Sequence, residues 1–323
     1  MTTTTRTDTG VDTRTRLGGV DLPNPILTAS GCAGYGRELA PYADVAGFGA
    51  VVTKSIMRQP RSGRATPRMA ETPAGMLNSI GLQGSGVDAF VAHDLPWLAE
   101  RGARVVVSVA GHSPSEFAEV TGRLAGAPGL SALEVNISCP NVENRGQVFA
   151  CHTESAAQVV RAVREAAPVG IPVLAKLSPD VTDIVAIARA CVDAGADGLT
   201  LINTLLGMAI DTDTMRPVLA EGTGGLSGPA VRPIAVRCVW QVHEALPDVP
   251  ILGVGGVRTG LDALELVLAG ASAVSVGTVV FGDPSAGPRI LAELCDALER
   301  RRFASFADAV GYAHEEPEGA RSR

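Results

Sequence analysis

The chain is predicted to adopt an α/β fold, a (β/α)8 TIM barrel with a short N-terminal hairpin and long loops at the C-terminal face. Three observations lead there. Apolar runs of strand length alternate with helical patterns from end to end, in units of about 30 to 40 residues. Eight such runs can be counted, which favours a closed barrel over an open doubly wound sheet. Each run also ends at a glycine, an amide, a hydroxyl or a lysine, as expected where one rim of a barrel carries the chemistry.

Taken in order, residues 1–16 are rich in Thr and Arg with almost nothing apolar, and are expected to form a disordered tail. Leu17-Gly18-Gly19-Val20-Asp21-Leu22-Pro23-Asn24-Pro25 reads as a short hairpin that could plug the barrel bottom. Strands are expected over residues 26–29, 50–54, 105–109, 132–137, 172–177, 198–202, 250–254 and 272–276. Helical periodicity is clearest over 154–167, 181–194, 229–246, 260–269 and 284–301. Residues 55–87 contain Pro60, Pro67, Pro73 and several glycines and read as a long loop excursion, a length commonly reserved for function. The barrel is thus expected over 17–309, with a frayed polar tail over 310–323.

With 323 residues, 46% of them hydrophobic, the chain is long enough to bury one large core. A net charge of -7 offers no basic face for nucleic acid. No apolar run is long enough to span a bilayer and no signal peptide is evident, so no membrane partner is expected. Six cysteines without a C-x-x-C pair, and without His at ligand spacing, argue against a metal or an iron-sulfur cluster and fit a reducing cytoplasm.

The strand ends carry the site. Ser30 follows the first run, Lys54 and Ser55 close the second, and Ser108 lies in the third. Asn136, Ser138 and Cys139 end the fourth, and Lys176 and Ser178 the fifth. Asn203 and Thr204 end the sixth, Gly255 and Gly256 the seventh, and Gly277 and Thr278 the eighth. Lys54 and Lys176 are the only lysines, so 25 of the 27 basic residues are arginine. Lysine is kept only at two strand ends, where a compact point charge differs from a planar fork.

Gly253-Val254-Gly255-Gly256 and Ser275-Val276-Gly277-Thr278 stand where barrels often hold a phosphate; tight turns are the plainer alternative. Gly224-Gly225-Leu226-Ser227-Gly228-Pro229 reads as a third such loop. Asn78, Asn136, Asn141 and Asn203 could converge, and carboxamides suit a flat heterocycle bearing imide and carboxylate groups. Cys139 is either a structural thiol or a general base or nucleophile, with Cys151 a weaker candidate in the same loop.

The run Asn136-Ile137-Ser138-Cys139-Pro140-Asn141-Val142, with Thr53-Lys54-Ser55, Asn78-Ser79-Ile80-Gly81-Leu82-Gln83, Ala175-Lys176-Leu177-Ser178-Pro179, Ile202-Asn203-Thr204 and the glycine loops, resembles class 1 dihydroorotate dehydrogenases, most closely the NAD-linked 1B catalytic subunit. The resemblance covers about residues 17–309. It implies an FMN enzyme that oxidises dihydroorotate to orotate in pyrimidine biosynthesis. In that scheme Cys139 takes the C5 proton while hydride passes from C6 to flavin N5.

By the same resemblance Lys54, Asn78, Ser79, Ile80, Gly81, Leu82, Asn136, Asn141, Asn203 and Thr204 bind substrate. Ser30, Lys54, Ser55, Asn136, Lys176, Ile202, Gly228, Gly255, Gly256, Gly277 and Thr278 bind FMN. A homodimer is implied, together with a separate FAD and iron-sulfur subunit that links the flavin to NAD. A membrane-bound class 2 enzyme is disfavoured, because its base is Ser and its N-terminal extension is amphipathic. This chain departs from the 1B pattern at Ser108, where Asn is usual, at Gly84, where Asn follows the Gln, and through Glu143 to Thr153. These departures leave a related dihydropyrimidine as a second substrate reading and an inactive flavin-binding paralogue as a third.

Overall fold

The computed structural model describes residues 10–138 and 152–315. In chain order the strands begin with the hairpin β1 (Thr15–Leu17) and β2 (Val20–Leu22), then β3 (Ile26–Thr28) and β4 (Val51–Val52). There follow β5 (Met69–Thr72), β6 (Gly75–Asn78), β7 (Val105–Val109), β8 (Leu130–Asn136), β9 (Val173–Lys176) and β10 (Gly198–Leu201). The last are β11 (Leu205–Met208), β12 (Ile210–Asp211), β13 (Arg216–Pro217), β14 (Thr223–Ser227), β15 (Ile251–Val254) and β16 (Ala273–Val276).

Eight of these form one sheet in the order β3-β16-β15-β10-β9-β8-β7-β4, with every adjacent pair parallel. The two edge strands meet without a regular ladder. Gly49 N–H donates to Ile26 O at 2.8 Å and Thr28 N–H to Ala50 O at 3.3 Å. The Thr28 hydroxyl completes the seam, accepting from Val52 N–H at 2.9 Å and donating to Val52 O at 3.2 Å. A β-branched side chain with one polar arm suits this place, because it packs like Val and bonds like backbone.

Helices cover the outside: α1 (Val87–Ala89) and α2 (Leu95–Glu100), joined by a π-helical turn over Phe90–Asp94, then α3 (Pro114–Leu124), α4 (Thr153–Ala166), α5 (Ile184–Asp193), α6 (Arg232–Ala245), α7 (Gly260–Leu268), the short α8 (Val279–Gly282) and α9 (Ala286–Arg300). Their starts are written in the sequence. Ser113 caps α3 by accepting from Glu116 N–H, Asp183 caps α5 from Ala186 N–H, and Thr259 with Asp262 forms a capping box on α7.

The hairpin plugs the barrel as expected. Gly18 and Gly19 both have positive φ, the two-residue turn that matches strand twist, and Leu17 and Leu22 join Leu27, Val52, Val106, Ala132, Leu174 and Leu252 in the barrel interior. Above this apolar plug the interior turns polar, with Ser108, Glu134, Lys176, Thr200 and Ser275 all buried.

Three expectations need correction. The expected tail over 1–16 is too long: Val11 is buried, Phe306 N–H donates to Asp12 O at 2.8 Å, and β1 begins at Thr15. The expected frayed tail over 310–323 is also anchored in its described part. Gly311 N–H bonds Val267 O, and His314 stacks on Trp240 with ring centroids 3.6 Å apart. Finally, the presumed loops at 55–87 and 224–229 contribute strands to a second sheet, ordered β11-β14-β6-β5. Its strands are short, and β6, β11 and β14 contain glycine, so neither apolar runs nor periodicity reveal them.

Candidate active site

The carboxyl ends of the barrel strands and the second sheet enclose one cavity of ≈ 1090 Å³. Ser30, Lys54, Ser55, Asn78, Ile80, Gly81, Leu82, Asn136, Lys176, Ile202, Asn203, Thr204, Gly228, Gly255, Gly256, Gly277 and Thr278 all line it. Ser79 does not. It is 1% exposed beneath the wall, where its hydroxyl accepts from Arg64 Nη1 at 3.1 Å. Cys139, Asn141 and Cys151 lie outside the described residues.

A hydrogen-bond chain ties the strand ends together. Asn136 Nδ2 donates to Ser55 Oγ at 2.8 Å, and Ser55 Oγ stands 2.9 Å from Ser108 Oγ and 3.4 Å from Ser30 Oγ. On the other side Asn203 Nδ2 donates to Ser138 Oγ at 2.7 Å and reaches Asn136 Oδ1 at 3.4 Å, while Asn203 Oδ1 accepts from Thr204 N–H at 2.8 Å. Two carboxamides are thereby fixed in orientation before any ligand arrives, which is the preorganisation a recognition site needs. Ser108 has its place here: fully buried behind the cavity wall, it holds Ser55.

Below this layer Lys176 and Glu134 form an ion pair at 3.6 Å, with side chains 6% and 1% exposed. Thr200 is the register partner of Lys176 on β10, and Glu134 lies two residues before its partner Asn136 on β8, on the same face of the strand. Sequence reasoning missed Glu134. The signal was present, since a carboxylate inside an otherwise apolar strand run needs a partner. Cys32 also lines the cavity; burial pushes its thiol up to about 11, against the opposing pull of Lys176 and Lys54.

On the opposite wall Asn78 Nδ2 donates to Gly225 O at 3.3 Å, and the chain then turns through Gly81 and Leu82, both at positive φ. Leu82 tolerates this uncommon conformation because its side chain is anchored in a small buried cluster with Met57 and Ala110. Gly84 follows, and a β-carbon there would stand 2.7 Å from the Tyr35 hydroxyl.

The third wall is bare backbone. A β-carbon on Gly256, at φ 72, would stand 2.7 Å from Arg232 Cβ and 2.9 Å from Gly228 O. One on Gly277 would stand 3.2 Å from Ala29 Cβ and 3.3 Å from Cys32 Sγ. Only glycine fits at 256 and a side chain would be crowded at 277, so peptide groups can approach an anion closely. Next to them Thr278 Oγ1 donates to Ser227 Oγ at 2.8 Å, fastening the strand-eight loop to the second sheet. Gly228 lines the cavity, but the residues before it are the strand β14 rather than a free phosphate loop.

A cavity with bare backbone along one wall, two lysines and paired carboxamides is suited to a flat, anionic, hydrogen-bonding ligand beside a phosphate. The profile of the dihydroorotate dehydrogenase family matches residues 13–298. The chain belongs to this family.

Dihydroorotate dehydrogenases are flavin-dependent oxidoreductases, and the chain is an enzyme of that kind. It is 52% identical over 300 residues to the dihydroorotate dehydrogenase B (NAD(+)) catalytic subunit of Pelobacter propionicus, covering 93% of this chain and 98% of that one. To the subunit of the same name from Desulforudis audaxviator it is 51% identical over 304 residues, 94% of this chain and 98% of that one. A crystal structure of the dihydroorotate dehydrogenase of Eimeria tenella in complex with ferulenol shares the fold, with a TM-score of 0.82 and 22% identity over 98% of this chain and 92% of that one. Among the described residues no helix is long and apolar enough to cross a membrane, and no group of three His, Cys, Asp or Glu side chains is placed to hold a metal ion.

Proposed function

We propose that this chain oxidises dihydroorotate to orotate with bound FMN. The observation that carries the reading is the convergence of Lys54, Lys176, Asn136 and Asn203 on a cavity whose remaining wall is the Gly255-Gly256 and Gly277-Thr278 backbone.

The residues fit FMN. Gly255, Gly256, Gly277 and Thr278 offer a close backbone cradle of the kind that holds a phosphate, with Gly228 alongside. Ser30, Ser55, Asn136 and Ile202 line the wall between that cradle and the strand-four end, and Lys54 and Lys176 supply positive charge. FMN, when bound, supplies the hydride acceptor. A fixed ammonium beside a group that gains negative charge stabilises the product of that step.

Substrate is assigned to the side facing the second sheet. Asn78, Asn136, Asn203 and Thr204 present donors and acceptors to its ring, and the Ile80-Gly81-Leu82 turn brings backbone to the same wall. Ser79 supports that turn from behind. Cys139 is the proposed base for the C5 proton and Asn141 a further substrate contact, both from the stretch outside the described residues. Ser138, the last described residue before that stretch, has its hydroxyl held by Asn203, which lines the cavity.

Because the relatives are named as catalytic subunits of an NAD(+) enzyme, a separate FAD and iron-sulfur subunit is proposed as the electron outlet. A homodimer in the cytoplasm is proposed with it. A related dihydropyrimidine is the second reading, favoured by one observation: Tyr35 occupies the space beside Gly84 at the end of the substrate segment.

Anaerobic mixing of the oxidised protein with dihydroorotate, dihydrouracil and dihydrothymine tests both readings. Bleaching of the flavin by dihydroorotate is expected. Bleaching by one of the others alone selects the second reading, and bleaching by none removes the activity.

A further inference from the structure

Among the described ion pairs only Lys176 and Glu134 are both less than a tenth exposed. The pair is 3.6 Å long, Glu134 Oε1 has no hydrogen-bond partner among the described residues, and neither has Thr200 Oγ1, whose residue is the register partner of Lys176 on β10. Taking two charges out of water is costly, and apolar residues of similar volume often stabilise a core at least as well. The pair is therefore poor as a fastening. It sits, however, one layer beneath the cavity, with Lys176 on the wall and Glu134 behind it.

We infer that Glu134 is a positioning residue that acts through Lys176: its carboxylate offsets part of the ammonium's charge at the cavity wall and so sets the reduction potential of the flavin bound there. The inference rests on the FMN reading above. Reduction adds negative charge to the flavin ring, so the ammonium favours the reduced form and the carboxylate behind it offsets part of that preference. The pair thus works as a graded charge, weaker than a bare lysine and stronger than a neutral donor.

The test uses the full chain reconstituted with FMN, as wild type, Glu134→Gln, Lys176→Gln and the double variant, with FMN affinity and the two-electron midpoint potential measured for each. Glu134→Gln keeps the shape and removes the negative charge, so its potential is expected to rise by an equivalent of about tenfold, ~30 mV for two electrons. Lys176→Gln is expected to lower the potential. The double variant is expected to match Lys176→Gln, because without the lysine the carboxylate has no ammonium to offset.

A Glu134→Gln potential that is unchanged or lowered overturns the inference. If that single variant does not fold, Glu134→Asp, which keeps the carboxylate but draws it back from Lys176 by one methylene, decides: a raised potential supports the inference and an unchanged or lowered one overturns it. A wild-type chain that takes up no FMN overturns the flavin reading and this inference with it, whereas FMN binding with the wrong shift overturns this inference alone.

Discussion

Tyr35 and Gly84 share one volume: the phenol oxygen stands 2.7 Å from the point a β-carbon on residue 84 would occupy. The ring also packs against Phe90, with centroids 5.3 Å apart. Glycine at 84 and tyrosine at 35 are therefore two halves of one solution at the end of the substrate segment.

Gly84→Asn is accordingly expected to overpack this corner, destabilising the protein by about 1–3 kcal/mol and raising the KM for dihydroorotate. Combining it with Tyr35→Phe, which removes only the oxygen, should recover most of the loss. Urea denaturation of the two single variants and the double variant measures this; a double variant no better than Gly84→Asn would show that the two positions do not compete.

Cys139→Ser is expected to retain the flavin while slowing its reduction by dihydroorotate by orders of magnitude near neutral pH, since a serine hydroxyl is a far weaker base than a thiol. Single-turnover stopped-flow follows the bleaching directly. An unaltered rate would remove Cys139 from the base role.

Thr28→Val keeps the shape of the side chain at the barrel seam but strands both the N–H and the C=O of Val52. Unsatisfied buried groups of this kind cost about 1–3 kcal/mol. The denaturation midpoint should fall accordingly, and an unchanged midpoint would mean that the backbone pairs alone hold the seam.

His243 gives the fold an acid-sensitive corner. Burial, and then the neighbouring His314, lower its pKa from 6.5 in the folded chain, and its Nδ1 has no hydrogen-bond partner among the described residues. A histidine held neutral by folding binds its proton more readily when unfolded. Its contribution is present above about pH 6.5 and is lost as the pH falls towards the lowered folded value. The urea midpoint should therefore decline between pH 7.5 and 5.5, and His243→Phe should flatten that slope; equal slopes would reject the assignment.

The barrel was legible because its strands are buried on both faces. Val105 to Val107 and Val173 to Ala175 read as unbroken apolar runs, followed by Ser108 and Lys176 towards one rim. The strand-end residues gathered there for the same reason, since parallel strands deliver all their carboxyl ends to one face. The second sheet was illegible, because Gly75–Asn78 and Thr223–Ser227 depend on each other for pairing and carry glycines that otherwise signal turns. Glu134 was hidden differently. Its partner lies on the next strand, and only the register of β8 against β9 brings the two side by side. Val11 and Asp12 carry too little local pattern to announce a strand, and owe their order to residues 304–306 at the far end of the chain.

The pairing of β6 with β14 also sets a timetable for the chain on the ribosome. Asn78 meets Gly225 across 147 residues of sequence. At synthesis rates of roughly 5–20 residues per second, the later partner emerges on the order of ten seconds after the earlier one. A nascent chain that has reached Thr223 already contains six of the eight barrel strands, both lysines and three strands of the second sheet, yet lacks β14, which joins β11 to β6. The cavity is thus assembled after most of its lining has been made, and an FMN molecule captured during translation would meet an open bowl rather than the finished enclosure.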